Sequence, residues 1–239
     1  MNVGILGRGR LGRTLALVLE RVGHRVDLRG RNEVPLGEVV LLTVPDAALA
    51  DAARTIPSGR IVLHCSGAAD LEALRPHRPA GSFHPLMTFP GPATAIPELR
   101  DVPAAVAGDP EAVEAAEIIA ASLGMRAFRV PGDRRLYHAA AVMAGNFATV
   151  LLAEAAKVLV AAGVPASDAP GLLAPLALHS LHNAAAFGPA TALTGPVARR
   201  DEATIQRHRD ALCEHQLGPT LSVYETLTER ARALLLEQS

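Results

Sequence analysis

Three groups of residues in this chain have types and spacings suited to chemistry. Gly7-Arg8-Gly9-Arg10-Leu11-Gly12 has the G-x-G-x-x-G spacing. In that pattern Gly7 permits a tight turn, Gly9 lets the backbone approach a pyrophosphate, and Gly12 lets a helix pack closely on its strand. His84 stands before Pro85, and Ser66 lies in His64-Cys65-Ser66-Gly67. An imidazole titrates near ~6.5 and can give or take a proton at neutral pH, and a hydroxyl such as that of Ser66 could orient it. His138 and Asn146 interrupt a stretch of alanine and apolar residues. They are two helical turns apart, and polar groups on such a helix need partners or a cleft. Dinucleotide binding plus one proton donor is the equipment of hydride transfer.

The choice of dinucleotide is made after the second strand. Enzymes using NAD place an acid there, roughly 20 residues past the glycines, to bind the ribose hydroxyls. Here the stretch reads Leu28-Arg29-Gly30-Arg31-Asn32, and Asp27 falls too early, inside the strand. Arg31, assisted by Arg8 or Arg29, suits a 2′-phosphate, which guanidinium groups grip by charge-assisted bonds. The sequence therefore points to NADP.

The elements that must position these residues fall into two halves. Residues 1–130 alternate short β-type runs (3–6, 25–29, 39–44, 61–64, 81–84, 102–107 and 126–130) with helical stretches at 10–22, 46–55, 70–74 and 110–123. Most of the runs are continuously apolar, as in a parallel sheet covered on both faces. No third strand-helix unit is visible between Asn32 and Glu38. After Pro131-Gly132-Asp133 the β-branched runs stop, and helices are expected at 134–162, 169–186, 201–216 and 219–237. The expected architecture is α/β, a Rossmann-like, mostly parallel sheet domain at 1–130 followed by an all-α domain at 131–239.

Other candidates carry less. Arg199 and Arg200 could hold a substrate anion, while Asp201 beside them reads as a helix N-cap. His179 and His182 have H-x-x-H spacing but no third ligand at a clear distance, so no metal is expected. The formal net charge of −1 among 239 residues gives no reason to expect nucleic acid or an anionic membrane as partner. Cys65 and Cys213 follow no ligand spacing and read as free thiols of a reducing compartment. The apolar run after His138 ends at Glu154, short of the ~20 residues of a membrane span. A soluble, cytoplasmic protein is expected.

Taken together, GILGRGRLGRTLA, LLTVPDAAL, VLHCSGA, GSFHPLMTF, LYHAAAVMAGNF and ALTGPVARRD resemble the 6-phosphogluconate dehydrogenase-like oxidoreductases. The nearest look is to bacterial proteins that join a Rossmann-like NADP-binding domain to a helical domain of unknown function. The resemblance covers essentially the whole chain and implies fold and cofactor class, without a substrate. Prephenate dehydrogenases carry a similar serine after a late strand and a catalytic histidine in an H-P-M segment, which Ser66 and His84-Pro85-Leu86 resemble. β-Hydroxyacid dehydrogenases have a Ser-Gly like Ser66-Gly67, and an interdomain helix with a lysine and then an asparagine. Here that helix offers His138 and Asn146 and no lysine, because Lys157 comes too late. In similar enzymes the backbone at Val44 and Pro45 passes beside the nicotinamide.

These readings converge on an NADP-dependent oxidoreductase acting on a small carbonyl, alcohol or imine, with Ser66, His84, His138 and Asn146 near the nicotinamide. Two rival readings are an NADP-binding sensor without turnover and a deazaflavin-linked NADP oxidoreductase. The Ala-, Leu- and Val-rich helical half, together with the resemblance, implies a two-fold homodimer joined through residues after Arg134.

Overall fold

The computed structural model describes residues 1–237. Seven strands, β1 (Asn2–Leu6), β2 (Arg25–Arg29), β3 (Val39–Leu42), β4 (Ile61–His64), β5 (Ala80–Pro85), β6 (Pro103–Gly108) and β7 (Arg126–Arg129), form one sheet. Their order is β2-β1-β3-β4-β5-β6-β7, and every neighbouring pair is parallel except β5 with β6. This is the expected Rossmann-like, mostly parallel sheet, with a helical region after it.

Alternation along the strands divides the core. Val3, Ile5, Val39, Leu41, Leu63 and Phe83 face one side, against α1 (Arg10–Arg21) and α3 (Pro110–Ser122). Leu6, Val40, Leu42 and Val62 face the other, against Leu49 and Ala53 of α2 (Leu49–Thr55). Both faces are covered, which is why the strands read as unbroken apolar runs. The register runs Leu6 to Leu42, Leu42 to His64 and His64 to Ser82. The loops that follow β1, β3, β4 and β5 therefore open along one carboxyl edge, where open α/β sheets take ligands.

No helix forms between β2 and β3. The chain instead crosses β1 as a loop, and glycines make the close approach possible. A Cβ added at Gly37 would lie 2.3 Å from the Gly4 nitrogen. Arg60 donates to the Pro35 and Gly37 carbonyls at 3.0 and 2.9 Å, and Asp27 accepts from the Leu36 N–H at 2.6 Å. Asp27 thus has a structural duty within the strand.

By contact the chain divides into two compact units, Met1–Asn146 and Phe147 onward. The first includes α4 (Arg134–Val142), whose side chains pack on the sheet's carboxyl edge. Between α4 and α5 (Ala148–Ala161) the helix passes through a π-helical segment, Met143–Phe147, which no sequence signal announces. The second unit continues with α6 (Ala169–Phe187), α7 (Pro189–Ala192), α8 (Gly195–Ala198), α9 (Glu202–Glu214) and α10 (Gly218–Leu236). The short α7 and α8 start at the glycine and proline positions that the sequence presents only as breaks.

The stretch Arg134–Ala161 is 28 residues long and holds an 18-residue window with a mean hydropathy of 1.5, enough by length and composition alone to cross a membrane. Its first turn, however, is bonded to the sheet unit through Arg134 and Tyr137.

The glycine loop depends on two close approaches. A Cβ at Gly12 would lie 1.9 Å from the Gly7 carbonyl oxygen, whereas one at Gly9 would meet nothing within 4 Å. Gly12→Ala should therefore force α1 away from β1 and destabilise the protein by about 1–3 kcal/mol, the usual range for overpacking. Gly9→Ala, at the N-cap, should cost less than about 1 kcal/mol. Urea unfolding of the two variants checks the contrast, and equal losses would contradict it.

Candidate functional site

The carboxyl edge of the sheet carries two adjoining sites. At the first, β1 ends at Leu6, Gly7 follows with φ 127, and the turn leads into α1 through its N-cap, Gly9. Thr43 closes the turn from β3, its hydroxyl donating to the Gly7 carbonyl at 3.0 Å. The Gly9 N-cap supplies no side-chain cap, so the first-turn N–H groups of this twelve-residue helix have no side-chain acceptor from that residue. With open space at Gly9, these residues fit the pyrophosphate of a dinucleotide. Leu11 packs into the core beneath, and Arg10 is exposed with its stem against Gly91.

The arginines at the end of β2 are not free, contrary to a simple phosphate clamp. Arg8 lies 3.2 Å and Arg29 3.7 Å from the Glu33 carboxylate, and Arg29 also lies 2.8 Å from Asp27. Glu33 accepts from the Gly30 N–H at 2.7 Å, and that bond, with Arg8 and Arg29, holds its carboxyl below the usual range. Arg31 is exposed on the same turn. Glu33, one residue beyond Asn32, is the acid that the stretch Leu28–Asn32 lacks.

At the second site, β5 delivers His84. Its Nδ1 lies 2.7 Å from the Tyr137 hydroxyl, and the two rings meet edge to face with centroids 5.6 Å apart. His138 sets its ring 6.2 Å from that of His84. Gly67 lies against both rings: a Cβ there would be 2.6 Å from His138 Cδ2 and 3.0 Å from His84 Nε2. Any side chain at 67 would fill the space beside that nitrogen.

Ser66 does not orient His84. Its Oγ accepts from the Ala68 and Ala69 N–H groups at 3.1 and 2.9 Å, fixing the turn after β4. Tyr137 takes the orienting role, because the first turn of α4 places it over the strand end. The tyrosine is the immediate neighbour of His138 in the sequence but carries no periodicity signal that would single it out. Arg134, one turn earlier, donates through Nη2 to the Ser66 carbonyl at 3.1 Å. Its Nε and Nη1 are buried with no partner among the described residues.

The other candidates lie elsewhere. Asn146 is exposed on the π segment, which breaks the regular helical spacing from His138, and it is not part of the His84 cluster. Val44 is partly buried, and the exposed Pro45 uses its carbonyl to accept from the Ala48 N–H at 2.8 Å. In the second unit Arg199 and Arg200 are exposed, and Asp201 caps α9 by accepting from the Thr204 N–H at 3.0 Å. His179 and His182 are exposed on α6, and among the described residues no three metal-ligating side chains come together. Burial pushes the Cys65 thiol up to about 12, so it is no nucleophile at neutral pH.

Burial governs the charge of the site. It lowers His84 to about 4, with His138 and Arg134 adding to the effect and Asp46 opposing it. His64, fully buried with neither ring nitrogen partnered, is likewise lowered to about 4, mainly by burial and then by Arg134. Burial raises the Tyr137 hydroxyl above its usual value. At neutral pH the pair is therefore a neutral imidazole and a neutral phenol, and Arg134 supplies the adjacent positive charge.

Comparison with known proteins follows the same lines. A model of the family described as a domain of unknown function, DUF2520, matches residues 102–231. No curated protein matches the chain. A Bacteroides fragilis protein named as a candidate NADP oxidoreductase shares the fold at 21% identity, with a TM-score of 0.79 and coverage of 97% of this chain and 98% of that one. The reductive aminase of Aspergillus terreus, solved with NADPH and ethyl-5-oxohexanoate, has 16% identity, a TM-score of 0.69 and coverage of 96% and 93%. The imine reductase of a Pseudomonas species has 17% identity, a TM-score of 0.68 and coverage of 97% and 93%. At these identities the likeness is one of fold.

His64 and His84, both lowered by burial, make the protein acid-sensitive. An unfolded histidine takes up a proton near 6.5, while His64 and His84 resist until about 4. The unfolded state binds more protons across that window, so stability falls as pH drops from about 6.5 to about 4 and levels off below. Each histidine accounts for on the order of 2–3 kcal/mol of the loss. His64→Leu should remove roughly half of it without lowering stability at pH 7. Urea midpoints at pH 7.0, 5.5 and 4.5 test this, and an unchanged slope in the variant would refute it.

Proposed function

The chain belongs to the DUF2520 family, and we propose that it is an NADP-dependent oxidoreductase that moves a hydride to or from a small carbonyl, alcohol or imine. The observation that carries this reading is the His84–Tyr137 hydrogen bond, set on the same sheet edge as an open Gly7–Gly12 loop. The shared fold of a reductive aminase solved with NADPH and of an imine reductase supports it.

In this reading the pyrophosphate rests on the Gly9 turn and the start of α1, and the arginine-bearing turn at 29–31 takes the adenosine end. A bound NADPH supplies the hydride. The chain's task is then to manage one proton and exclude water. Tyr137 keeps its proton throughout the neutral range, and the neutral His84 beside it can accept at Nδ1. Gly67 leaves the space at His84 Nε2 for a substrate atom. The charge of Arg134 favours a substrate that carries an anionic group or develops negative charge on oxygen or nitrogen.

Turnover should appear when NADPH is offered with a panel of 2-oxo acids, aldehydes and cyclic imines. Tyr137→Phe and His84→Asn should each keep NADPH affinity within about threefold and lower kcat by roughly 10²–10⁴, the usual contribution of one proton donor. The pH profile should stay flat through neutrality and fall only toward about 4, where His84 becomes cationic and no longer accepts from Tyr137. Tight NADPH binding without turnover on any substrate would favour the sensor reading.

We further propose a homodimer built by the helical unit, in a cytoplasmic protein. Leu172 and Leu176 on α6 are 62% and 66% exposed, and Phe187, on the same face, ends the helix at 66%. A row of this kind is what a second copy would cover. Light scattering should give twice the chain mass, and Leu176→Glu should return it to that of a monomer. A monomer at all concentrations in the parent protein would rule the dimer out.

A further inference from the structure

We infer that Glu33 is a built-in counter-ion seated where a 2′-phosphate would dock, and that NADPH binds by taking Arg8 and Arg29 over from its carboxylate. The inference rests on the NADP reading above and adds a residue that tempers the preference for NADPH over NADH.

Arg8 lies inside the glycine loop and Arg29 at the end of β2, so their side chains converge at the carboxyl edge where the adenosine ribose must emerge. Both end on Glu33, at 3.2 and 3.7 Å. Two guanidinium groups sharing one carboxylate reproduce the arrangement that a phosphate would form. Arg31, exposed on the same turn, adds a third cation. Against these three stand Asp27 and Glu33, so the cluster keeps one net positive charge with Glu33 in place and two when it swings away.

The two acids are held differently. Asp27 is locked from both sides, by Arg29 at 2.8 Å and the Leu36 N–H at 2.6 Å, and belongs to the packing of the crossover loop. Glu33 is tethered by the Gly30 N–H and by ion pairs whose side chains are 38–50% exposed. Exposed pairs of this kind are weak and exchange readily. A dianionic phosphate outcompetes a single carboxylate for two guanidinium groups, whereas the 2′-hydroxyl of NADH does not. The carboxylate thereby discriminates: NADPH must displace it, and NADH leaves it in place.

The test is calorimetric titration of the parent and of Glu33→Gln with NADPH, NADH and adenosine 2′,5′-bisphosphate. Glutamine keeps an acceptor for the Gly30 N–H and so preserves the turn, and Glu33→Ala provides a second variant. Both should bind NADPH and the bisphosphate about tenfold more tightly than the parent, with NADH changed by less than about twofold. Unchanged NADPH affinity in a parent that binds it would overturn the counter-ion role alone. Tenfold weaker NADH binding would overturn it too, by showing that Glu33 holds the ribose hydroxyls. A parent that binds neither nucleotide would overturn the oxidoreductase reading and this inference with it.

Discussion

The hydrogen bond between His84 Nδ1 and the Tyr137 hydroxyl organises the candidate site. It joins the end of β5 to the first turn of α4 through two residues 53 positions apart in sequence. With Arg134 bound to the Ser66 carbonyl, it fixes the start of the long helix over the sheet's carboxyl edge. Gly67 has to be a glycine because two rings have been drawn against it. The orientation of His138 follows from the same placement.

This arrangement strips the site of mobile charge. Two imidazoles buried beside a guanidinium stay neutral, and the orphaned polar atoms of His64, Ser82 and Arg134 collect around them. The surrounding sheet is conventional and well filled on both faces.

Much of this was readable in the residues and some was not. The glycine loop, the strands and the absent helix between β2 and β3 were legible because each depends on local geometry or on apolar runs. Asp201 as an N-cap was legible for the same reason. His84 and His138 could be nominated by type, but their partner could not be. Tyr137 reaches His84 only through the tertiary fold, and a tyrosine in a helix's first turn is unremarkable in sequence. Arg134 looked like a helix-start arginine, and its bond to Ser66 is equally non-local. Glu33 had a local signal, an acid three residues beyond Gly30, which reading only as far as Asn32 passed over. The π segment has no signal beyond Gly145 and Asn146 themselves.

The crossover between β2 and β3 has a consequence for how such a protein can change. Its second half is pinned, by Gly37 on β1, by Arg60 and by Asp27, and so belongs to the core. Its first half, Gly30 to Val34, is a turn on which Arg31, Asn32 and Val34 are exposed, with Asn32 in a left-handed conformation, and no helix is built upon it. Residues there are free to vary without disturbing a packed layer. In a Rossmann domain with a full crossover helix, the same positions would be coupled to that helix's packing. Single substitutions at the exposed positions of this turn therefore carry little penalty in folding, and the same freedom is open to an engineer.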